Sequence, residues 1–344
     1  MKKVIILSGM LALVLGTISV PLLIGHSSEV SQAEMPVKSE KTELISEPVQ
    51  EIPIETKKSG LIFSDVMTEL EIHNNTRPVY SMDEANALIE NGTHDYYANG
   101  GRKMIDVPAY AEKLLSGNEI NSLENKSFIY HMMLNSVDYF STAEGSLAYT
   151  IEGTSTNAEF STNIAESYAY EIQESNGSTI ETYVFDGMNY TVTNNSDYDV
   201  SYWSEPVDFN ISDNERIVTL DEGGSLAINR PDLTHLPMSS SCCLFPQSYA
   251  MSRMSDFDTW NITGCEDFLQ QKCAIIEGSF NNGNFIMYVD INHGSMLKYE
   301  EYSWDGTMTD YVEATSLEYD SEVEKVIFDE NSLNNDKMFN YSTG

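Results

Sequence analysis

The residues after Phe140 alternate between apolar and polar side chains with a period of two, which is typical of β-strands. The longest run goes from Phe160 to Gln173 and predicts one long strand with a single apolar face. Asn176-Gly177 and Asp186-Gly187 are hairpin turn sequences, so the runs Thr179–Phe185 and Asn189–Thr193 should form antiparallel neighbours. This pattern predicts an antiparallel meander in the middle of the chain.

A second group of alternating runs lies nearer the C-terminus, and turn sequences rich in Asn, Asp and Gly separate its members. These runs predict another series of antiparallel strands. The predicted strands are Cys273–Phe280, Asn284–Ile291, Met296–Trp304 and Thr307–Leu317, and Val323–Phe328 is a candidate for a last strand.

Helical spacing of apolar residues precedes and interrupts these strands. Ser81 with Glu84 forms a capping box that predicts a helix ending near Gly92, and Pro108 begins a second short helix. A longer helix is predicted from about Ser122 to Phe140, and another begins at Pro246. Because the apolar face of a large sheet must be covered, the predicted fold class is α+β. It is a large curved antiparallel sheet, a half-barrel, covered by helices and preceded by a small helical segment.

The N-terminus combines Lys2 and Lys3 with an apolar run from Val4 to Ile24, which is typical of an export signal. Small residues at 31 and 33 suit cleavage after Ala33, although the distance from Ile24 also allows an uncleaved membrane anchor. Either alternative places the rest of the chain outside the cytoplasm, secreted or membrane-anchored. The predicted segments are 1–33 as signal peptide or anchor, 34–59 as a disordered acidic linker, 60–125 as a small helical segment, 126–330 as the sheet domain and 331–344 as a flexible tail.

The chain is strongly acidic, with 18 Lys and Arg against 54 Asp and Glu, a formal net charge of −36. Phosphate binding requires clustered basic residues, so nucleic acid is excluded as a general partner. The charge indicates a soluble extracellular surface or, as the alternative, a surface that attracts divalent cations.

Four cysteines lie close together in the sequence: Cys242, Cys243, Cys265 and Cys273. An even number of cysteines in an exported chain predicts disulfides. Since adjacent cysteines pair only with strain, Cys242 and Cys243 are each expected to bond to Cys265 or Cys273, with the connectivity open. No C-x-x-C spacing is present, which argues against a zinc site, and no metal or other cofactor is predicted.

Several segments of the C-terminal half together resemble a known family. They are Leu244-Phe245-Pro246, Trp260–Gly264, Phe268–Gly278, Met287–Gly294, Leu297–Glu300 and Trp304-Asp305-Gly306. Through them the chain resembles LolA-like proteins, the fold of periplasmic lipoprotein carriers and of MucB/RseB-type N-terminal domains, over about residues 130–330. The resemblance implies a half-barrel closed by helices that binds acyl chains or a partner protein in an apolar cavity.

The predicted function is therefore an exported, non-enzymatic module that holds a hydrophobic small molecule or lipid on the concave sheet face. The alternative is that the apolar residues of this face pack a closed core and leave no cavity. The predicted ligand-binding residues are Phe160, Ile164, Tyr168, Tyr183, Phe185, Phe285, Met287, Val289, Leu297 and Tyr299.

Two further functions stay open. One is an envelope sensor or regulatory module that docks on a membrane protein partner, as the linker and possible anchor suggest. The other is a secreted hydrolase, although no H-E-x-x-H, G-x-S-x-G or P-loop sequence is present and no catalytic residue is predicted. The run Asp290–Glu301 partly matches a calcium loop, but it lacks the required glycine and predicts a hairpin instead.

Overall fold

The computed structural model describes residues 79–92, 107–117, 119–151, 153–194, 197–202, 213–230, 238–281 and 283–329. The chain divides into two units, Met1–Lys57 and Lys58–Gly344, and every described residue belongs to the second unit. The predictions for 1–33, 34–59 and 331–344 lie outside the described residues, whereas the segment 60–125 is described over 79–92, 107–117 and 119–125.

An antiparallel sheet of eleven strands is the largest part of the described structure. Its strands are β2 Thr142–Ile151, β3 Thr154–Asn163, β4 Tyr168–Ser175, β5 Ser178–Phe185, β6 Met188–Thr193, β7 Asp197–Tyr202, β10 Trp260–Phe268, β11 Gln271–Phe280, β12 Gly283–Asp290, β13 Met296–Tyr302 and β14 Met308–Tyr319. Across the sheet they follow the order β10-β11-β12-β13-β14-β2-β3-β4-β5-β6-β7. The sheet is open, with β10 and β7 at its edges, so the predicted α+β half-barrel is confirmed.

The sheet consists of two meanders, β2 to β7 and β10 to β14, in which each strand pairs with its neighbours in sequence. The meanders join where the last strand, β14, pairs with the first long strand, β2. In this seam Val312 lies opposite Tyr149 and Ala314 opposite Leu147, so apolar residues of both meanders share one face. Two hairpin sequence predictions, Asn176-Gly177 and Asp186-Gly187, are confirmed, since each connects two paired strands.

The predicted strand Phe160–Gln173 is wrong as a single element. A 3-10 turn at Ile164–Glu166 ends β3 at Asn163, and Ser167 adopts a left-handed conformation with φ 48° before β4 begins. The chain reverses here, so β3 and β4 pair with each other and Asn163 lies opposite Tyr168. Because the alternation restarts after the turn, even-numbered residues on the two sides of it lie on opposite faces of the sheet.

Three helices lie against one face of this sheet: α3 Leu123–Leu134, α4 Met238–Leu244 and α5 Gln247–Arg253. Helix α3 is shorter than predicted, because Asn135 ends it and a 3-10 turn at Ser136–Asp138 follows. The predicted helix after Pro246 is confirmed as α5, whereas α4 lies just before it and was not predicted. We call the side of the sheet under these helices the covered face and the opposite side the outer face.

A small second sheet contains β1 Val79–Tyr80, β8 Ile217–Leu220 and β9 Ser225–Ala227. Helix α1, Met82–Gly92, packs on it through Ala85, and the predicted capping box is confirmed by the Ser81–Glu84 hydrogen bonds. Helix α2, Val107–Leu115, instead contributes Leu114 to the core of the large sheet. Among the described helices, none combines the length and the apolar character needed to cross a membrane.

Candidate functional site

The ten predicted ligand-binding residues fall into two groups. Seven of them belong to the hydrophobic core between the sheet and its helices. Phe285, Met287, Val289 and Tyr299 are buried beside α3 and α5, and Phe160, Ile164 and Leu297 are buried beside α4.

The part of the covered face beneath α3 and α5 is rich in methionine. Met132 and Met133 of α3 and Met251 of α5 are buried in the same hydrophobic cluster as Met287 of the sheet. Methionine side chains are flexible and fill irregular gaps, so this part of the core can repack more easily than one built from branched residues. The four predicted side chains in this part of the sheet thus pack in one cluster with residues of α3 and α5.

The other three predicted residues, Tyr168, Tyr183 and Phe185, lie on the outer face. The strand pairing shows this, because Phe160 of the covered face is opposite Glu171, and Glu171 is opposite Thr182. Tyr183 follows Thr182 in an alternating strand and therefore points to the other side. The physical cause is the chain reversal at Ile164–Glu166, which a reading of the alternation alone does not reveal.

Neighbouring aromatic residues extend this outer group into a cluster on β4, β5 and β6. The ring of Tyr183 lies 5.1 Å from that of Tyr170, and the ring of Phe185 is stacked on Tyr190 at 5.1 Å. We call these five residues, Tyr168, Tyr170, Tyr183, Phe185 and Tyr190, the outer aromatic cluster. All except Tyr168 are partly exposed, so the cluster presents aromatic surface on the outer face of the sheet.

Residues Ser321–Asp329, which we call the C-terminal strap, lie on this cluster. The strap follows β14 without forming a strand of its own, so the predicted strand Val323–Phe328 is wrong. Its backbone is held by a side chain instead of a neighbouring strand, because the Val326 amide donates a hydrogen bond of 2.8 Å to the Tyr168 hydroxyl.

Phe328 anchors the strap among the rings of the cluster. Its ring centroid lies 5.5 Å from that of Tyr183 and 4.9 Å from that of Tyr190, and only 9% of the residue is exposed. These separations lie in the range of favourable aromatic pairs. Nearer the start of the strap, the Lys325 ammonium forms an ion pair with Glu166 and lies 5.8 Å from the centre of the Tyr168 ring.

The hydroxyl groups of the cluster are directed toward an acidic side chain. Both Tyr170 and Tyr183 donate hydrogen bonds to Glu181, which lies between them on the outer face. Burial and the nearby Glu181 carboxylate raise the pKa of Tyr170 to about 12, so its hydroxyl remains a neutral donor at physiological pH. The cluster therefore combines aromatic surface with acidic groups, which suits a ligand carrying an aromatic ring and a positive charge.

A buried carboxyl group lies on the covered face behind the cluster. Glu171 of β4 is fully buried and accepts hydrogen bonds from the Ser239 and Ser240 hydroxyls and from the Ser240 amide of α4. Gln173 donates a further hydrogen bond from the same strand. Burial raises the pKa of Glu171 to about 7, against the opposing effect of these hydrogen bonds. This carboxyl group fixes α4 on the sheet.

The four cysteines are free thiols in the structure, which departs from the predicted disulfides. Cys265 lies opposite Ala274 and Cys273 opposite Glu266, so their side chains project from opposite sides of the paired strands β10 and β11. Cys242 and Cys243 both lie on α4, where burial raises the pKa of each thiol to about 12. Such thiols are largely protonated and therefore weak nucleophiles.

Two histidines that share no sequence motif gain partners in the fold. His131 of α3 lies 2.6 Å from an Asp213 oxygen and 3.2 Å from the Tyr139 hydroxyl, and His293 lies 2.7 Å from Asp290. The sequence does not reveal the partners of His131, because they are separated from it by a turn and by 82 residues. His293 is only three residues from Asp290, but it forms no recognised motif with it. Within the described part of the chain, no three His, Cys, Asp or Glu side chains are grouped to hold a metal ion.

No protein-family model and no curated protein matches this chain. Among solved structures it is similar to MucB in the Pseudomonas aeruginosa MucA/MucB complex, at 14% identity, 60% coverage of each chain and a TM-score of 0.29. It is also similar to a putative outer membrane lipoprotein-sorting protein domain from Vibrio parahaemolyticus, at 9% identity and a TM-score of 0.21, covering 60% of this chain and 96% of that one. The chain thus spans about 60% of the MucB chain, and both matches concern the fold alone. They belong to the groups that the sequence resemblance named.

Proposed function

We propose that this protein is an exported, non-enzymatic binding module that holds a segment of a partner protein on its outer aromatic cluster. The observation that carries the proposal is the C-terminal strap, because nine residues without regular structure lie there through a ring anchor, a backbone hydrogen bond and an ion pair. Peptide recognition of this kind uses an aromatic anchor for affinity and polar contacts for orientation.

The N-terminal sequence supports an extracytoplasmic location, and the acidic linker would give the sheet domain reach from a membrane. A partner that is itself a membrane protein would then bring its exposed segment within range. The protein would act as a sensor or regulatory module in the envelope, the first of the two further functions that the sequence leaves open.

Photo-crosslinking in native membranes tests the proposal. A crosslinking phenylalanine analogue at Phe185 reports on the outer aromatic cluster, and the same analogue at Trp304 is the matched control. Trp304 is 83% exposed at the turn between β13 and β14, outside the cluster. A discrete protein adduct from position 185 that is absent from position 304 is expected. Equal adducts from both positions, or adducts from neither, would contradict the proposal.

A second candidate function is the binding of an acyl chain between the sheet and its helices. The methionine-rich core beneath α3 and α5 favours it, because flexible side chains could make room for a ligand. Each buried methylene would contribute about 0.8 kcal/mol. Native mass spectrometry with lipid extraction on the purified protein tests this function. A lipid that survives dialysis would support it, and an empty protein that also fails to bind a fluorescent fatty acid would remove it.

A further inference from the structure

We infer that the outer aromatic cluster recognises an extended segment in which a lysine precedes an aromatic residue by three positions, and in which acidic residues are few. The C-terminal strap is then an internal, weakened copy of that segment. This inference rests on the proposed function and goes beyond it by naming the chemistry of the partner and the element with which the partner competes.

The strap shows which of its positions are recognised. Lys325 pairs with Glu166, and Phe328 lies between Tyr183 and Tyr190. The two intervening side chains point outward, since Val326 is 40% exposed and Ile327 is 61% exposed. Val326 is held through its backbone amide, a contact that almost any residue can make. The sequence requirement therefore falls on the first and fourth positions, Lys-x-x-aromatic.

The charge of the strap opposes its own binding. Residues 321–329 contain Glu322, Glu324 and Asp329 against the single Lys325, a net charge of −2 in a protein whose total is −36. Charges of the same sign repel across a distance of about 8–10 Å at physiological salt. A partner segment that keeps the lysine and the aromatic residue but has uncharged residues in place of Glu322 and Glu324 makes the contacts described above with less repulsion.

The strap nevertheless fills the cluster because it is tethered. It follows Tyr319 at the end of β14 after a single residue, and short tethers give effective concentrations in the millimolar range. A partner segment must overcome this high effective concentration by binding more tightly than the strap, which a less negative charge allows. Basic segments with an aromatic residue would consequently displace the strap, whereas acidic or weakly matched segments would not. The competition with the strap thus makes binding selective.

Fluorescence polarisation with synthetic peptides and the full chain tests the inference. In the Phe328→Ala variant the strap loses its anchor, so the cluster becomes accessible. Two labelled peptides are compared, one with the sequence of 321–329 and one, the amide peptide, that carries E322Q and E324Q. Because two repulsive charges have been removed, the amide peptide is expected to bind the variant roughly tenfold more tightly than the wild-type peptide at low salt. This difference in affinity should shrink in 0.5 M salt, which screens the repulsion. Both peptides should bind wild-type protein more weakly than they bind the variant.

Matched variants separate recognition from loss of folding. In the Phe328→Ala background, Tyr183→Ala should abolish peptide binding and Trp304→Ala should leave it unchanged, with circular dichroism confirming that each variant is folded. Glu166→Lys should weaken binding of the amide peptide and strengthen binding of a version of that peptide that carries K325E. Failure of both peptides to bind the folded Phe328→Ala chain, or equal binding of the two at low salt, would overturn the inference. If crosslinks from position 185 persist in that case, the proposed function survives and only the partner chemistry is wrong.

Discussion

Glu171 makes the stability of the fold depend on pH in an unusual direction. Its carboxyl group is buried between β4 and α4, and burial raises its pKa from an ordinary 4.5 to about 7. Below pH 4.5 the group is protonated in both the folded and the unfolded chain. Between pH 4.5 and 7 the folded state holds the proton and the unfolded state releases it, so the free energy of unfolding falls as the pH rises.

The size of this effect follows from the pKa values. A difference of one pKa unit corresponds to about 1.36 kcal/mol, so a rise from 4.5 to about 7 corresponds to about 3 kcal/mol. The Glu171→Gln variant cannot ionise but can still hydrogen-bond with Ser239 and Ser240. It should therefore lose this contribution, and its unfolding free energy should depend less on pH by about 3 kcal/mol across the same window.

Urea denaturation followed by tryptophan fluorescence, at pH values from 4.5 to 8, measures this difference. The buried Trp260 provides the signal. Glu174→Gln is the matched control, because Glu174 lies on the same strand with an exposed side chain. The difference in unfolding free energy between wild type and Glu171→Gln should change with pH, and that between wild type and the control should not. If the curves of wild type and Glu171→Gln stay parallel over the whole range, the carboxyl group is not buried as described.

Three further predictions concern the core. Lys126→Met should lower the unfolding free energy by about 1–3 kcal/mol in urea denaturation, because the Phe257 and Trp260 carbonyls lose the buried ammonium that donates to them; an unchanged midpoint would contradict this. Gly294→Ala should destabilise the protein by several kcal/mol more than Gly306→Ala, since both glycines have positive φ but only a Cβ at 294 would lie 2.2 Å from the Met132 carbonyl oxygen; similar melting temperatures for the two variants would argue against this packing. Titration with a thiol reagent should show four reactive thiols in denaturant and slow labelling in the folded state, whereas fewer than four thiols in unfolded, unreduced protein would restore the disulfides predicted from the sequence.

The sequence predicts the elements of the sheet well and their faces less well. The turn pairs Asn176-Gly177 and Asp186-Gly187 identify hairpins because their backbone conformations suit few other residues. The reversal at Ile164–Glu166 contains neither glycine nor proline, and only the left-handed Ser167 marks it. The alternation of apolar and polar residues in the sequence therefore continues across the turn, although the alternation of faces in the sheet restarts there. For this reason the assignment of Tyr168 and Tyr183 to the covered face is wrong.

Contacts between distant parts of the chain could not be predicted at all. Helix α4 has the sequence Met238–Leu244, in which three serines and two cysteines hide any helical pattern, and Glu171 gives no sign of its burial in an otherwise regular strand. The position of the strap on the outer aromatic cluster depends in the same way on tertiary structure. Its apolar residues read as a strand because extended peptide on a sheet face and extended peptide within a sheet have similar composition.

The seam between β14 and β2 has a consequence for how the chain reaches its fold. Every other pairing between described strands of the large sheet joins elements adjacent in sequence, so each meander can form from local contacts, while the seam joins residues about 160 positions apart. Non-local contacts of this kind form late and slow the reaction. A chain cut between β7 and α4 would keep each meander whole, and the two fragments should assemble by pairing β14 with β2 as soon as both are present.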